Sequence, residues 1–112
     1  MADPRPFAGK VITITGAARG IGFATVRYLV QRGGIVAMSD ILPDVLDQSF
    51  QNLNAEFPEA TLTQTVVDVS KREDVDSWIA NTMSKFGKID GCVNNAGEVR
   101  SIETGISLQE FE

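Results

Sequence analysis

The run Thr15-Gly16-Ala17-Ala18-Arg19-Gly20-Ile21-Gly22 places three glycines and one cation between a short apolar segment and a helical pattern. Glycine serves where a turn is tight or where backbone must approach a ligand closely, because it has no Cβ to clash. A helix that starts there presents free N–H groups and a positive dipole end, which suits a pyrophosphate. Arg19 adds positive charge at the rim. The spacing is GxxxGxG, wider than the GxGxxG dinucleotide fingerprint, and no Lys-Ser/Thr pair follows Gly20 to make a Walker loop. Glycine-rich turns also arise for structural reasons alone. The strand–turn–helix setting favours binding here.

Three further positions carry chemistry. Asp40 ends the second apolar run, near the roughly 20-residue offset at which an acid meets the ribose in dinucleotide-binding folds. A carboxylate there accepts from ribose hydroxyls and repels a 2′-phosphate, which favours NAD over NADP. Arg19 pulls the other way, so NADP stays possible. Asp68-Val69 ends the third run; the acid can accept from an adenine amino group and the Val69 N–H can donate to the ring. Asn94-Asn95-Ala96-Gly97 ends the fourth, where small residues admit a sugar or nicotinamide and an Asn amide can tie strand ends together. Each has a plainer reading: Asp40 as a solvated loop acid, Asp68 as part of the turn before Ser70, and the Asn pair as an ordinary turn. Cys92 reads as a small strand hydrophobe and Trp78 as core.

The elements that position these residues follow from periodicity. Val11–Thr15, Ile35–Met38, Thr61–Val67 and Ile89–Val93 read as strands. A first helix carries Ile21, Ala24, Thr25, Tyr28 and Leu29 on its packed face and ends at Gly33-Gly34. Pro43 opens a second, with Leu46, Phe50, Leu53 and Phe57 on one face and Pro58 as its stop. Ser70-Lys71-Arg72-Glu73 reads as a capping box for a third, lined by Val75, Trp78, Ile79, Met83 and Phe86 and closed by Gly87. A second capping box, Ser107 to Glu110, opens one more helix near the last residue, Glu112. Strands alternating with helices imply a parallel sheet with right-handed crossovers.

Composition narrows the function classes. At 112 residues, 43% hydrophobic and 22% charged, the chain suits one globular domain. There is no histidine, so the commonest general base and metal ligand is missing, and one cysteine excludes an internal disulfide or a zinc cluster. Residues 1–36 hold five cations and one acid, a surplus of +4, while residues 37–112 hold five cations and 14 acids, a deficit of −9. Neither half is a polybasic nucleic-acid arm. No apolar run has the length of a membrane span, and the start has no secretory signal, so a cytoplasmic setting is expected.

With these motifs in place, the chain resembles the N-terminal, cofactor-binding half of the short-chain dehydrogenase/reductase family. TGAARGIG looks like its TGxxxGxG loop, Asp40 its NAD-selecting acid, Asp68-Val69 its adenine-contacting pair, and Asn94 to Gly97 its NNAG motif. The likeness spans about Lys10 to Glu112. It implies an α/β fold, a Rossmann-like doubly wound parallel sheet of strand order 3-2-1-4, truncated after the fourth strand. Residues 1–112 would be one incomplete NAD(P)-binding domain with residues 1–9 as an N-terminal tail. It also implies that Gly16, Arg19, Gly20, Ile21, Gly22, Asp40, Asp68, Val69, Asn95, Ala96 and Gly97 surround the dinucleotide.

The family's Ser and YxxxK pair have no counterpart after Gly97; the only tyrosine is Tyr28, with Arg32 four residues later. No catalytic and no metal-binding residue is therefore assigned. Two classes of function remain: an alcohol/carbonyl oxidoreductase of which this is one part, or a non-catalytic dinucleotide-binding fragment or remnant. A reading frame continuing beyond Glu112 into a Ser and a YxxxK separates them. A small alcohol or ketone is the expected substrate class only if that half is supplied, and no nucleic acid or membrane partner is expected. Strand Ile89–Val93 would be a sheet edge and surface around Val11, Ile14 and Val93 would be left wet, so the chain alone is expected to be poorly stable or to self-associate.

Overall fold

The computed structural model describes residues 5–96. Its elements are β1 (Val11–Thr15), α1 (Gly20–Gln31), β2 (Ile35–Asp40), α2 (Pro43–Glu56), β3 (Leu62–Val66), α3 (Arg72–Phe86) and β4 (Gly91–Asn94). The four strands are all parallel, in the order β3-β2-β1-β4. The expected Rossmann-like architecture and strand order are therefore present. The registers Thr15↔Asn94 and Asp40↔Val66 bring the carboxyl ends of all four strands to one edge.

β1 and β2 are buried along almost their whole length because helices cover them. Ile12, Ile14, Val36 and Met38 pack with Val26, Leu29, Val30, Leu46 and Leu53 of α1 and α2. Ala37 packs with Val67 and Trp78, and with Val75 and Ile79 of α3. Val11 and Ile14, expected to be wet, are 1% and 0% exposed. Ile14 is sealed by α1 and α2, which lie wholly within the described residues.

Helix α1 turns a different face to the sheet from the one its periodicity gives. Gly22, Val26, Leu29 and Val30 are buried, while Ile21 and Tyr28 are 77% and 51% exposed. Gly22 decides the rotation. A Cβ there would lie 1.9 Å from the Gly16 carbonyl oxygen, so only glycine can sit at that contact. The residues four, seven and eight positions on then face the sheet. The helix ends at left-handed Gly33, with the Gly34 and Gly33 N–H groups donating to the Leu29 and Val30 carbonyls, a Schellman closure. Gly87 ends α3 in the same conformation.

Three further details differ from expectation. The Ser70–Glu73 capping box does not form: α3 starts at Arg72 with no side-chain cap, and the Ser70 N–H and hydroxyl both donate to Asp68 Oδ1. The serine is held by the Asp68 carboxylate, a strong charged acceptor, and makes no cap to an α3 N–H. Cys92 is exposed, because it lies on β4 at the sheet edge. Residues 5–9, expected as tail, fold back: the Phe7 N–H donates to the Arg32 carbonyl and the Phe7 ring meets Tyr28 edge-on.

The β4 pairing starts at Gly91 rather than Ile89 because Asp90 is used as a clamp. Its Oδ2 accepts from the Val11 N–H at 2.8 Å and from Lys88 Nζ at 3.1 Å, and its N–H donates to the Val11 carbonyl. The Val11 N–H and then Lys88 hold the Asp90 carboxyl below the usual carboxylate range. The folded value lies below the unfolded one, so this contribution is fully present above about pH 4 and fades as pH falls through the lowered value. Acid titration followed by circular dichroism is expected to show Asp90→Asn less sensitive than the wild type between about pH 4 and pH 2. Equal sensitivity of the two would show that the clamp is not coupled to folding.

Candidate functional site

A cleft of about 320 Å³ opens at the carboxyl edge of the sheet. Gly16 and Arg19 of the loop after β1 line it, with Asp40 at the end of β2, Asp68 and Val69 after β3, and Ala96 after β4. Six of the residues expected around a ligand thus come together. Gly20, Ile21 and Gly22 form the first turn of α1, beside the loop. Gly97 and the Ser107–Glu110 segment lie outside the described residues.

The glycine loop is held on every side. Gly16 and Gly20 take left-handed φ angles of 63° and 64°, which L side chains rarely adopt. A Cβ on Gly16 would lie 3.2 Å from the Ala96 backbone. Thr15 Oγ1 accepts from the Asn95 and Ala96 N–H groups at 2.9 and 3.0 Å, and Asn95 Nδ2 donates to the Gly16 carbonyl at 3.1 Å. The Asn95 amide therefore ties the end of β4 to the end of β1. On the other side the Ala17 N–H donates to the Ser39 carbonyl at 2.9 Å.

Asp40 is not a solvated loop acid. Its Oδ2 accepts from the Ala18 N–H at 3.0 Å and its Oδ1 from the Leu42 N–H at 3.2 Å. A carboxylate has about four acceptor positions, so both oxygens keep capacity for a ligand hydroxyl. Helix α1 opens without a side-chain cap and without an acid in its first turn. Its first N–H groups are left to solvent or to an anion.

These observations agree with the comparisons to known proteins. Residues 10–112 match the family model described as short chain dehydrogenase. The chain belongs to the short-chain dehydrogenase family.

Within that family, the chain is 36% identical over 107 residues to short-chain dehydrogenase/reductase ABA4 of Pyricularia oryzae, covering 96% of this chain and 39% of that protein. Two solved structures superpose closely. NAD+-bound xylitol dehydrogenase gives a TM-score of 0.77 at 32% identity, over 83% of this chain and 35% of its own. L-sorbose reductase from Gluconobacter frateurii, complexed with NADPH and L-sorbose, gives 0.78 at 32%, over 85% and 36%. The chain thus spans little more than a third of the length of these relatives.

Some contributors escaped sequence reasoning. Ser39, Ile41 and Leu42 also line the cleft, and Ile41 and Leu42 are half-exposed apolar residues directly after the acid. Their position was a signal, since apolar residues at a binding edge can flank a flat ring. Asp68 does serve the turn, as its plainer reading had it, with Ser70 on Oδ1 and the Asp68 N–H donating to Asp74 Oδ2 at 3.2 Å. It lines the cleft all the same. Tyr28 is remote from the cleft in its bonding: the Arg32 guanidinium stacks on its ring at 3.6 Å. No helix among the described residues is long and apolar enough to cross a membrane.

Proposed function

We propose that the cleft holds the adenosine and pyrophosphate portion of NAD, and that the chain is the cofactor-binding part of an oxidoreductase acting on alcohol or carbonyl groups. The observation that carries this reading is the Gly16–Gly22 contact at an uncapped helix start, with Asp40 at the lip of the same cleft. The residues present fit the cofactor's chemistry. The first N–H groups of α1 and the Arg19 guanidinium meet the pyrophosphate charge. Asp40 would accept from the ribose hydroxyls, Ile41, Leu42 and Val69 would flank the adenine with Asp68 at its amino edge, and Asn95 and Ala96 would face the second sugar. When bound, the nicotinamide supplies the hydride donor or acceptor. The substrate-side residues are those the family carries beyond the NNAG motif. The same reading places the protein in a cytoplasmic, reducing setting, supported by its single cysteine. It also allows self-association through the β4 edge, where β1 is the only strand neighbour among the described residues.

Asp40 decides between the cofactors. A carboxylate about 4 Å from a phosphate charge is repelled by roughly 4 kcal/mol at a surface-like dielectric, more than an exposed arginine returns. Titration calorimetry is expected to show NAD binding at least about tenfold tighter than NADP. Asp40→Ala should erase most of that preference. Tighter binding of NADP by the unaltered chain would overturn the assignment.

A further inference from the structure

The Ala18 carbonyl, in the middle of the glycine loop, accepts a hydrogen bond from the Ser49 hydroxyl of α2. Ser49 is 8% exposed and lies on the buried face of α2 with Leu46 and Leu53. A hydroxyl on such a face is costly unless bonded, and this one has the loop as its partner. Three consecutive peptide units of the loop therefore have separate anchors. Asn95 and the Ser39 carbonyl hold the unit between Gly16 and Ala17. Asp40 holds the N–H of the unit between Ala17 and Ala18. Ser49 holds the carbonyl of the unit between Ala18 and Arg19.

The described peptides are all trans, so a carbonyl directed to one side sends the N–H of the same unit to the other. With the Ala18 carbonyl drawn to α2, the Arg19 N–H points away from α2. Arg19 lines the cleft and is the N-cap of α1, whose start no side chain caps. We propose that Ser49 is a positioning residue for anion recognition: it keeps the Ala18 carbonyl out of the phosphate site and holds the Arg19 N–H toward it, without touching the ligand. This rests on the reading of the cleft as a dinucleotide site. Without the Ser49 bond this peptide unit is free to turn, and a carbonyl dipole then faces a pyrophosphate.

The test compares ADP, which carries the pyrophosphate, with adenosine, which does not, on the 112-residue chain. Ser49→Ala is expected to weaken ADP about tenfold and leave adenosine unchanged. Ser49→Thr, which keeps the hydroxyl, should hold ADP within about threefold of the wild type. If Ser49→Ala does not fold, Ser49→Cys, nearly the same size with a weak donor, is measured instead and should show the same selective loss. Equal loss of ADP and adenosine, or loss of neither, overturns the positioning role while leaving the dinucleotide site standing. Failure of the wild type to bind either ligand overturns both.

Discussion

Replacing Gly22 by alanine is expected to lower the melting midpoint by more than about 10 °C and weaken NAD about 100-fold. Local and tertiary effects here have opposite signs. Within a helix, alanine is preferred to glycine by about 1 kcal/mol, so propensity alone would make the variant more stable. The tertiary contact reverses this. The new Cβ would sit 1.9 Å from the Gly16 carbonyl oxygen, 2.8 Å from its carbon and 2.6 Å from Asn95 Nδ2. Two of those atoms are backbone and cannot swing aside as a side chain would. Helix α1 must therefore separate from the loop, and with it the Asn95 tie to Gly16 is lost. Overpacking a well-packed contact costs roughly 1–3 kcal/mol, and the upper end corresponds to a shift above 10 °C in a domain near this size. Gly20→Ala is the control. Unlike Gly22, Gly20 has a left-handed φ of 64°, but a Cβ there would meet nothing within 4 Å, so the variant should lose only about 1–2 kcal/mol to backbone strain. A Gly22→Ala chain that melts at or above the wild type and binds NAD equally would show that the close approach does not govern the site.

The 112-residue polypeptide is expected to show no hydride transfer above the cofactor-only blank with any alcohol or ketone. Family members accelerate such reactions by orders of magnitude, and a positioned proton donor contributes about 10²–10⁴ of that. Among the described residues the cleft offers no tyrosine, lysine or histidine. Its polar side chains there are Arg19, Ser39, Asp40 and Asp68, and the chain has no histidine anywhere. Tyr28 is eight residues beyond the start of α1, roughly 12 Å along the helix, and lies under Arg32. Absorbance at the NADH band, followed against protein concentration with a panel of ketones and alcohols, measures it. Turnover proportional to protein would mean that a proton donor exists which neither the motifs nor the cleft reveal. Tyr28→Phe would then report whether it is the tyrosine.

The architecture was legible in the chain because β1 and β2 are largely apolar, β3 lies in a Thr- and Val-rich run, and several stops are chemically marked: Gly33 and Gly87 by their left-handed closures, Asp40 by its place at the end of a strand. The order of those runs, with the TGAARGIG and NNAG motifs, was enough to bring Gly16, Arg19, Asp40, Asp68, Val69 and Ala96 to one cleft. Local patterning could not say which face of α1 is buried. Ile21, Tyr28 and Leu29 satisfy a helical stripe as well as Val26, Leu29 and Val30 do, and one non-local contact, Gly22 against Gly16, chooses between them. The capping box failed for a related reason. Ser70 has two kinds of partner to choose between, the N–H donors at the start of α3 and the Asp68 carboxylate, and only the folded turn decides which it meets. Ser49 had no motif at all. A serine among leucines in an amphipathic helix looks like a gap in the apolar face until the loop carbonyl 31 positions earlier in the chain is seen beside it. Periodicity and turn chemistry are properties of neighbours in sequence, and so they were readable; helix rotation and the anchoring of the loop depend on atoms that only tertiary packing brings into contact.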